Sequence, residues 1–211
     1  MSRGWRIFAA LGVVVPVLLC AAPAERDLGQ GLRYVRIREL PADLPASPSG
    51  PRSGCVVDVR YVPAGRDAAV AFMAWLKFRA TPRAPVFVLA NRETSAELRR
   101  VLAEPHRGTG VVVLGIAGPG FDPDVLVPST PENDKAAYDA LEKSVPLEAL
   151  LTDLPGKVRH DEARLARGLP PAAEGDGPTA KPRPGPVDAT LQRAVHLHRA
   201  LAVVSRNNRR P

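Results

Sequence analysis

A chain of 211 residues with an ordinary apolar fraction has room for one domain with a sizeable core plus a tail. Its net charge of +7 suggests a nucleic-acid or membrane partner, but the charge is badly placed for either to engage the folded part. Residues 178–211 carry seven basic side chains against Asp188 alone, whereas residues 25–177 hold 20 basic and 21 acidic groups. Basicity belongs to the tail, and nucleic acid is not expected as a partner. The 23 prolines point to long irregular connections.

The N-terminus reads as an export signal over residues 1–24. Arg3 and Arg6 form a positive start, Ile7 to Leu19 an apolar run, and Ala22-Pro-Ala24 a small-residue cleavage site. Thirteen apolar residues fall short of a membrane span, so no transmembrane segment is expected after cleavage before Glu25. Cys20 does not make a lipoprotein signal, because Leu19 before it is not small. The mature chain then holds one cysteine, Cys55, inside an apolar strand, where it reads as a buried inert thiol. The four histidines are scattered, so no metal is assigned, and no cofactor motif is found. Gly115-x-x-Gly118-x-Gly120 is not read as a phosphate loop, since Pro119 removes an amide and no helix start follows.

Leu32 to Leu40 alternates apolar and basic residues and predicts a half-exposed strand with Leu32, Tyr34 or Val35, Ile37 and Leu40 turned inward. A Pro/Ser/Ala-rich loop follows to Arg52. Cys55–Val59, Pro85–Ala90 and Val111–Gly115 are short apolar runs, as expected of strands buried on both faces. Between them lie a helix over 66–79, stopped by Thr81-Pro82, and a short helix with Leu98, Val101 and Leu102 on one side. Strands alternating with helices predict an α/β core of parallel βαβ units. Phe72, Met73, Trp75, Leu76 and Phe78 make the first helix apolar almost all round, which suits core packing or a protein interface.

Beyond Gly120 the pattern turns helical. Ser129-Thr-Pro-Glu132 starts a helix carrying Ala136, Ala137, Ala140 and Leu141, and Pro146 starts a shorter one through Leu147, Leu150 and Leu151. Asp161 to Arg167 forms at most a charged turn or two. Residues 168–187, with six prolines and four glycines, read as a linker. Residues 188–211 then form a basic C-terminal helix, on which Ala194, Leu197, Leu201 and Val204 make a narrow stripe for docking on this chain or on a partner.

The stretch from Gly54 to Gly120 resembles the core of the S41 peptidases, the tail-specific or C-terminal-processing proteases. The resemblance rests on Val57-Asp-Val-Arg60, the loop closing on Gly65, Val86 through Glu97, Val111–Gly115 and Gly118-Pro-Gly120, with Tyr34-Val-Arg-Ile37 extending it. It implies a ClpP/crotonase-like fold, here with an added N-terminal strand and C-terminal helices, over residues 25–167. The PDZ domain that many such proteases use is not expected ahead of the core.

The same resemblance implies a serine nucleophile at a helix start, a lysine base and an oxyanion hole of amides. The family's T-A-S-A-S-E phrase corresponds to Thr94-Ser-Ala-Glu97, shorter by two, which puts Thr94 or Ala96 at the nucleophile position; only a slipped alignment puts Ser95 there. Thr94-x-x-Glu97 also reads as a capping box. At the lysine position stands Phe121, and the nearest later lysine is Lys135. In the oxyanion loop, Val62 replaces the asparagine and Ala64 the first glycine, so Ala64 and Gly65 are its remnant. Asp58 and Arg60 persist, and are expected to bond neighbouring loop backbone. The expectation is an exported, periplasmic or extracellular protein that has lost catalysis and works as a binding or assembly component of the cell envelope. The alternative is an active S41-like serine endopeptidase using Ser95 with another base. A protein or peptide partner and a second copy of the chain are the associations left open.

Overall fold

The computed structural model describes residues 24–45, 53–106, 108–151 and 185–207. The expected export signal, apart from Ala24, the segment 161–167 read as charged turns and most of the Pro/Gly stretch lie outside them. Six strands form one sheet in sequential order: β1 (Ala24–Asp27), β2 (Leu32–Arg36), β3 (Gly54–Asp58), β4 (Val86–Leu89), β5 (Val111–Gly115) and β6 (Val125–Leu126). β1 runs antiparallel to β2, and every other neighbouring pair is parallel. The chain is therefore an α/β protein with a mixed, mostly parallel sheet. Among the described residues no helix is long and apolar enough to cross a membrane.

Alternation within each strand sends side chains to two separate cores, because successive residues point to opposite faces. Val35, Val57, Val88 and Val113 meet α1 (Arg66–Arg79) and α2 (Ala96–Leu102), which contribute Phe72, Met73, Leu76, Leu98 and Val101. Leu32, Tyr34, Val56, Phe87, Leu89 and Leu114 meet α3 (Pro131–Glu142), a 3₁₀ turn at Leu147–Leu150, and α4 (Ala189–Asn207). α1 keeps the bounds its apolar run predicts. It is not covered all round, since Val70 and Phe78 are exposed while Trp75 is partly buried and donates from Nε1 to the Pro45 carbonyl at 3.0 Å.

Two expectations need correction. β2 is not half exposed: it is flanked by β1 and β3 with helices on both faces, so Tyr34 and Val35 both lie inward, on opposite sides, and even Arg36 is buried. Arg36 tolerates this because its guanidinium stacks 3.7 Å from the Tyr138 ring and donates to the Tyr138 carbonyl and to Glu142. The final helix docks on this chain's own core through Leu191, Val195 and the first half of the predicted stripe, Ala194 and the partly buried Leu197, but not through its second half. Leu201 and Val204 are exposed because α4 has by then run past the sheet edge.

Candidate functional site

Parallel strands deliver their carboxyl ends, and the loops that follow, to one edge of the sheet, where ligands of open α/β sheets bind. Here the edge is held open by a steric condition. Gly115 lies so close to the end of β4 that a Cβ would sit 2.1 Å from the Ala90 carbonyl oxygen. Beyond it the chain leaves the sheet for a tight turn in which Gly118 and Phe121 exchange backbone bonds of 3.1 and 2.9 Å. A cleft of about 510 Å³ opens between this turn, the segment after β4 and the start of α3. Ile116, Ala117, Pro119 and Pro131 provide apolar wall; Tyr61, Asn91 and Asp134 form a polar corner, and Arg92, Glu93, Glu132 and Lys135 supply charges.

Beneath the polar corner lies a buried ion cluster. Arg60 is fully buried and its guanidinium faces three carboxylates: Asp58, Asp134 and Asp188, each with an N–O distance of 2.7 Å. Burial alone would lower the Arg60 pKa, but Asp188, Asp58 and Asp134 outweigh it and hold the guanidinium charged well above its ordinary range. One cation for three acids leaves a formal excess of two negative charges, and neutral donors converge on them. Tyr34 donates to Asp58 at 2.9 Å, Asn91 to Asp134 at 2.9 Å, Thr190 to Asp134 at 3.2 Å and the Leu191 amide to Asp188 at 2.9 Å. The cluster thus joins the end of β3, the loop after β4, α3 and α4. Asp58 and Arg60 accordingly bond each other, Asp58 also accepts from Tyr34, and Arg60 also donates to the distant carboxylates Asp134 and Asp188. The expected bonding to nearby loop backbone is limited to the Arg60 amide, which donates to Asp58 at 3.1 Å.

Tyr61 links the cluster to the cleft. Its backbone takes φ 61°, a left-handed conformation that is uncommon for a bulky residue and costs about 1–3 kcal/mol. In return its hydroxyl reaches Asp134 at 3.3 Å and its ring packs on Tyr138 with centroids 4.7 Å apart. Burial, with the Asp134 charge second, pushes the Tyr61 phenol well above its ordinary pKa. Lys135 lies 5.3 Å from the same ring and is paired with Asp139.

The residues picked out by the sequence fall elsewhere. The cap of α2 is Ser95, not Thr94: Ser95 Oγ accepts from the Leu98 amide at 3.4 Å. Asn91 is the reason for the one-residue shift, because its side-chain oxygen accepts from the Glu93 and Thr94 amides and keeps Thr94 inside the preceding turn. Thr94 is buried there, accepting from the Asn91 amide at 3.0 Å and donating to the Val59 carbonyl at 3.3 Å. Glu97 pairs with Arg100 at 2.5 Å, so the reciprocal bond of a capping box is replaced by an exposed ion pair. Gly65 precedes α1 with extended backbone, and its carbonyl accepts from the Ala69 amide. Ala64 packs against the core beneath α1, and Val62 and Phe121 are buried in that core. Ser95, Ala64, Gly65 and Phe121 are all absent from the cleft lining, which among the described residues includes no serine, threonine, cysteine or histidine.

The residues that do form the site were mostly invisible in sequence. Tyr61, Asn91, Asp134 and Asp188 come from four separate segments and share no spacing pattern. The usable signals were local: a charged Asp58-x-Arg60 pair ending an apolar strand, and an aspartate just ahead of the last helix. No protein-family model matches this chain, and neither the curated proteins nor the solved structures contain a match to it.

Proposed function

We propose that this is an exported protein with an S41-like, ClpP/crotonase-type core that has lost hydrolytic catalysis. It serves as a binding or assembly component of the cell envelope, taking a protein or peptide partner at the cleft on the carboxyl edge of the sheet. One observation carries the reading: Thr94, Ser95, Val62 and Phe121, which stand at catalytic positions of the resemblance, are committed to structural contacts, and Ala96 has no reactive group. Thr94 is bonded on both sides within a turn, Ser95 caps α2, and Val62 and Phe121 fill the apolar core. A serine without a neighbouring base is a poor nucleophile. Lys135, the nearest lysine beyond the turn, is engaged with Asp139. The cleft has the mixture of apolar wall and a few fixed polar groups that suits binding.

The test has two arms. The chain should leave an unfolded protein substrate intact, and Ser95→Ala should not alter that result, since loss of a catalytic base or nucleophile alone usually costs several orders of magnitude in rate. Partner captured from envelope extract by the wild type should be lost from a Tyr61→Ala, Ile116→Asp double variant that remains folded. If instead the wild type cleaves and Ser95→Ala abolishes cleavage while remaining folded, Ser95 is a nucleophile and the chain is a working serine endopeptidase.

A further inference from the structure

The course of α4 across the sheet has a consequence at the end opposite the cleft. Its first contact, Asp188, meets Arg60 just past the carboxyl end of β3. Ten residues later His198 meets the amino end of the same strand: a Cβ on Gly54 would lie 2.9 Å from the His198 ring, whose Nε2 is 3.0 Å from the Gln30 carbonyl. α4 therefore runs antiparallel to the parallel strands and crosses their full length, about 15 Å at 1.5 Å per residue. From Arg199 to Asn207 it continues beyond the amino edge for roughly 13 Å more. Within that projecting part, residues 200–204 are all apolar where a solvated helix would carry polar side chains. Leu201, Val203 and Val204 are 43%, 47% and 55% exposed. Leu201 and Val204, three residues apart, share a side of the helix with Leu197, while Arg199 and Arg206, seven apart, share another.

We propose that this end of α4 docks the protein on an anionic phospholipid surface, leaving the cleft at the far end of the sheet turned away from the bilayer. Charge selects the occupant. From Arg199 to Pro211 the sequence holds four arginines and no acidic residue, and Arg83 is exposed in the Thr81–Ala84 turn at the same edge. A second copy would set arginine against arginine, whereas a headgroup layer offers phosphates to the arginines and a shallow apolar zone to Leu201 and Val204. The helix meets the surface end-on, so that the arginines on one side and the aliphatic groups on another reach headgroup depth together.

The experiment uses soluble chain with the N-terminus its host leaves, sedimented with vesicles of phosphatidylcholine alone or mixed with phosphatidylglycerol. Binding is expected only to the mixed vesicles and should weaken steeply toward about 0.5 M salt. Arg206→Ala should weaken it about five-fold, and Leu201→Asp with Val204→Asp should abolish it. The circular dichroism spectrum and melting temperature should hold, because both leucine and valine are exposed before binding. Equal binding to both vesicle types, no binding, or indifference to the double aspartate variant would each overturn the proposal. So would a dimer of the wild type that the double variant converts to monomer, since the stripe would then join two copies. None of these outcomes bears on the cleft or on hydrolysis, which the same variants should leave as in the wild type.

Discussion

Asp188 ties the start of the last helix to the buried ion cluster, and its removal can be dissected. One carboxylate does two things: it caps α4 through the Leu191 amide at 2.9 Å, and it faces Arg60 at 2.7 and 3.3 Å. Replacing it with alanine loses a cap worth about 1 kcal/mol and charge-assisted bonds worth roughly 1.5–3 kcal/mol. Asp58 and Asp134 still neutralise Arg60, so the full cost of about 3–5 kcal/mol for orphaning a buried charge is not expected. The sum for Asp188→Ala is about 3 kcal/mol, a large part of the 5–15 kcal/mol by which a domain is usually stable. Asp188→Asn keeps the size and the cap while cutting the formal excess charge from two to one, and should cost no more than about 1 kcal/mol. Urea unfolding followed by circular dichroism separates them: at a slope of 1–3 kcal/mol per molar, alanine should move the midpoint by about 1–3 M. A shift equivalent to less than about 0.5 kcal/mol would mean that α4 is not held through Arg60. Equal costs for the two variants would mean that charge, and not the cap, carries the attachment.

Other consequences follow from the contacts around the cleft and in the sheet. Thr94→Val keeps the shape but strands the buried Asn91 amide, and should cost about 1–3 kcal/mol in the same assay; Ser95→Ala, losing only a long cap bond, should cost about 0.5–1 kcal/mol. A negligible cost for Ser95→Ala would restore Thr94 as the cap. Gly115→Ala places a methyl 2.1 Å from the Ala90 oxygen and should cost more than about 4 kcal/mol or prevent folding, read from soluble yield and thermal melts. Burial raises the Cys55 thiol to about 11 and, with Asp58 second, pushes the Tyr34 phenol well up. The folded state then holds protons that the unfolded state releases, so stability should be full below about pH 9 and fall as pH rises toward 11. For Cys55 the loss amounts to about 2–3 kcal/mol. Cys55→Ala should flatten the decline, and the wild-type thiol should react with a disulfide reagent only on unfolding.

Sequence alone determined the parts of this protein that local chemistry dictates. Apolar runs at Cys55–Val59, Pro85–Ala90 and Val111–Gly115 could only be strands covered on both faces, and the helix at 66–79 began and ended where its composition changed. Proline at the start of α3 and the Thr130 side chain accepting from the Asn133 amide likewise follow from short-range geometry. What tertiary structure decided depends on partners distant in the chain. Ala24–Asp27 is a strand only because Arg36 and its neighbours pair with it, and β2 is buried on both faces only because its flanking strands and helices put it there. Arg60 survives without solvent because Asp134 and Asp188, 74 and 128 residues away, arrive beside it. The cap fell to Ser95 and not Thr94 because a single Asx turn at Asn91 moved the helix start by one residue, less than any pattern of spacing can resolve. The stripe on α4 divides into docked and bare halves at His198, since the sheet ends there and the helix does not.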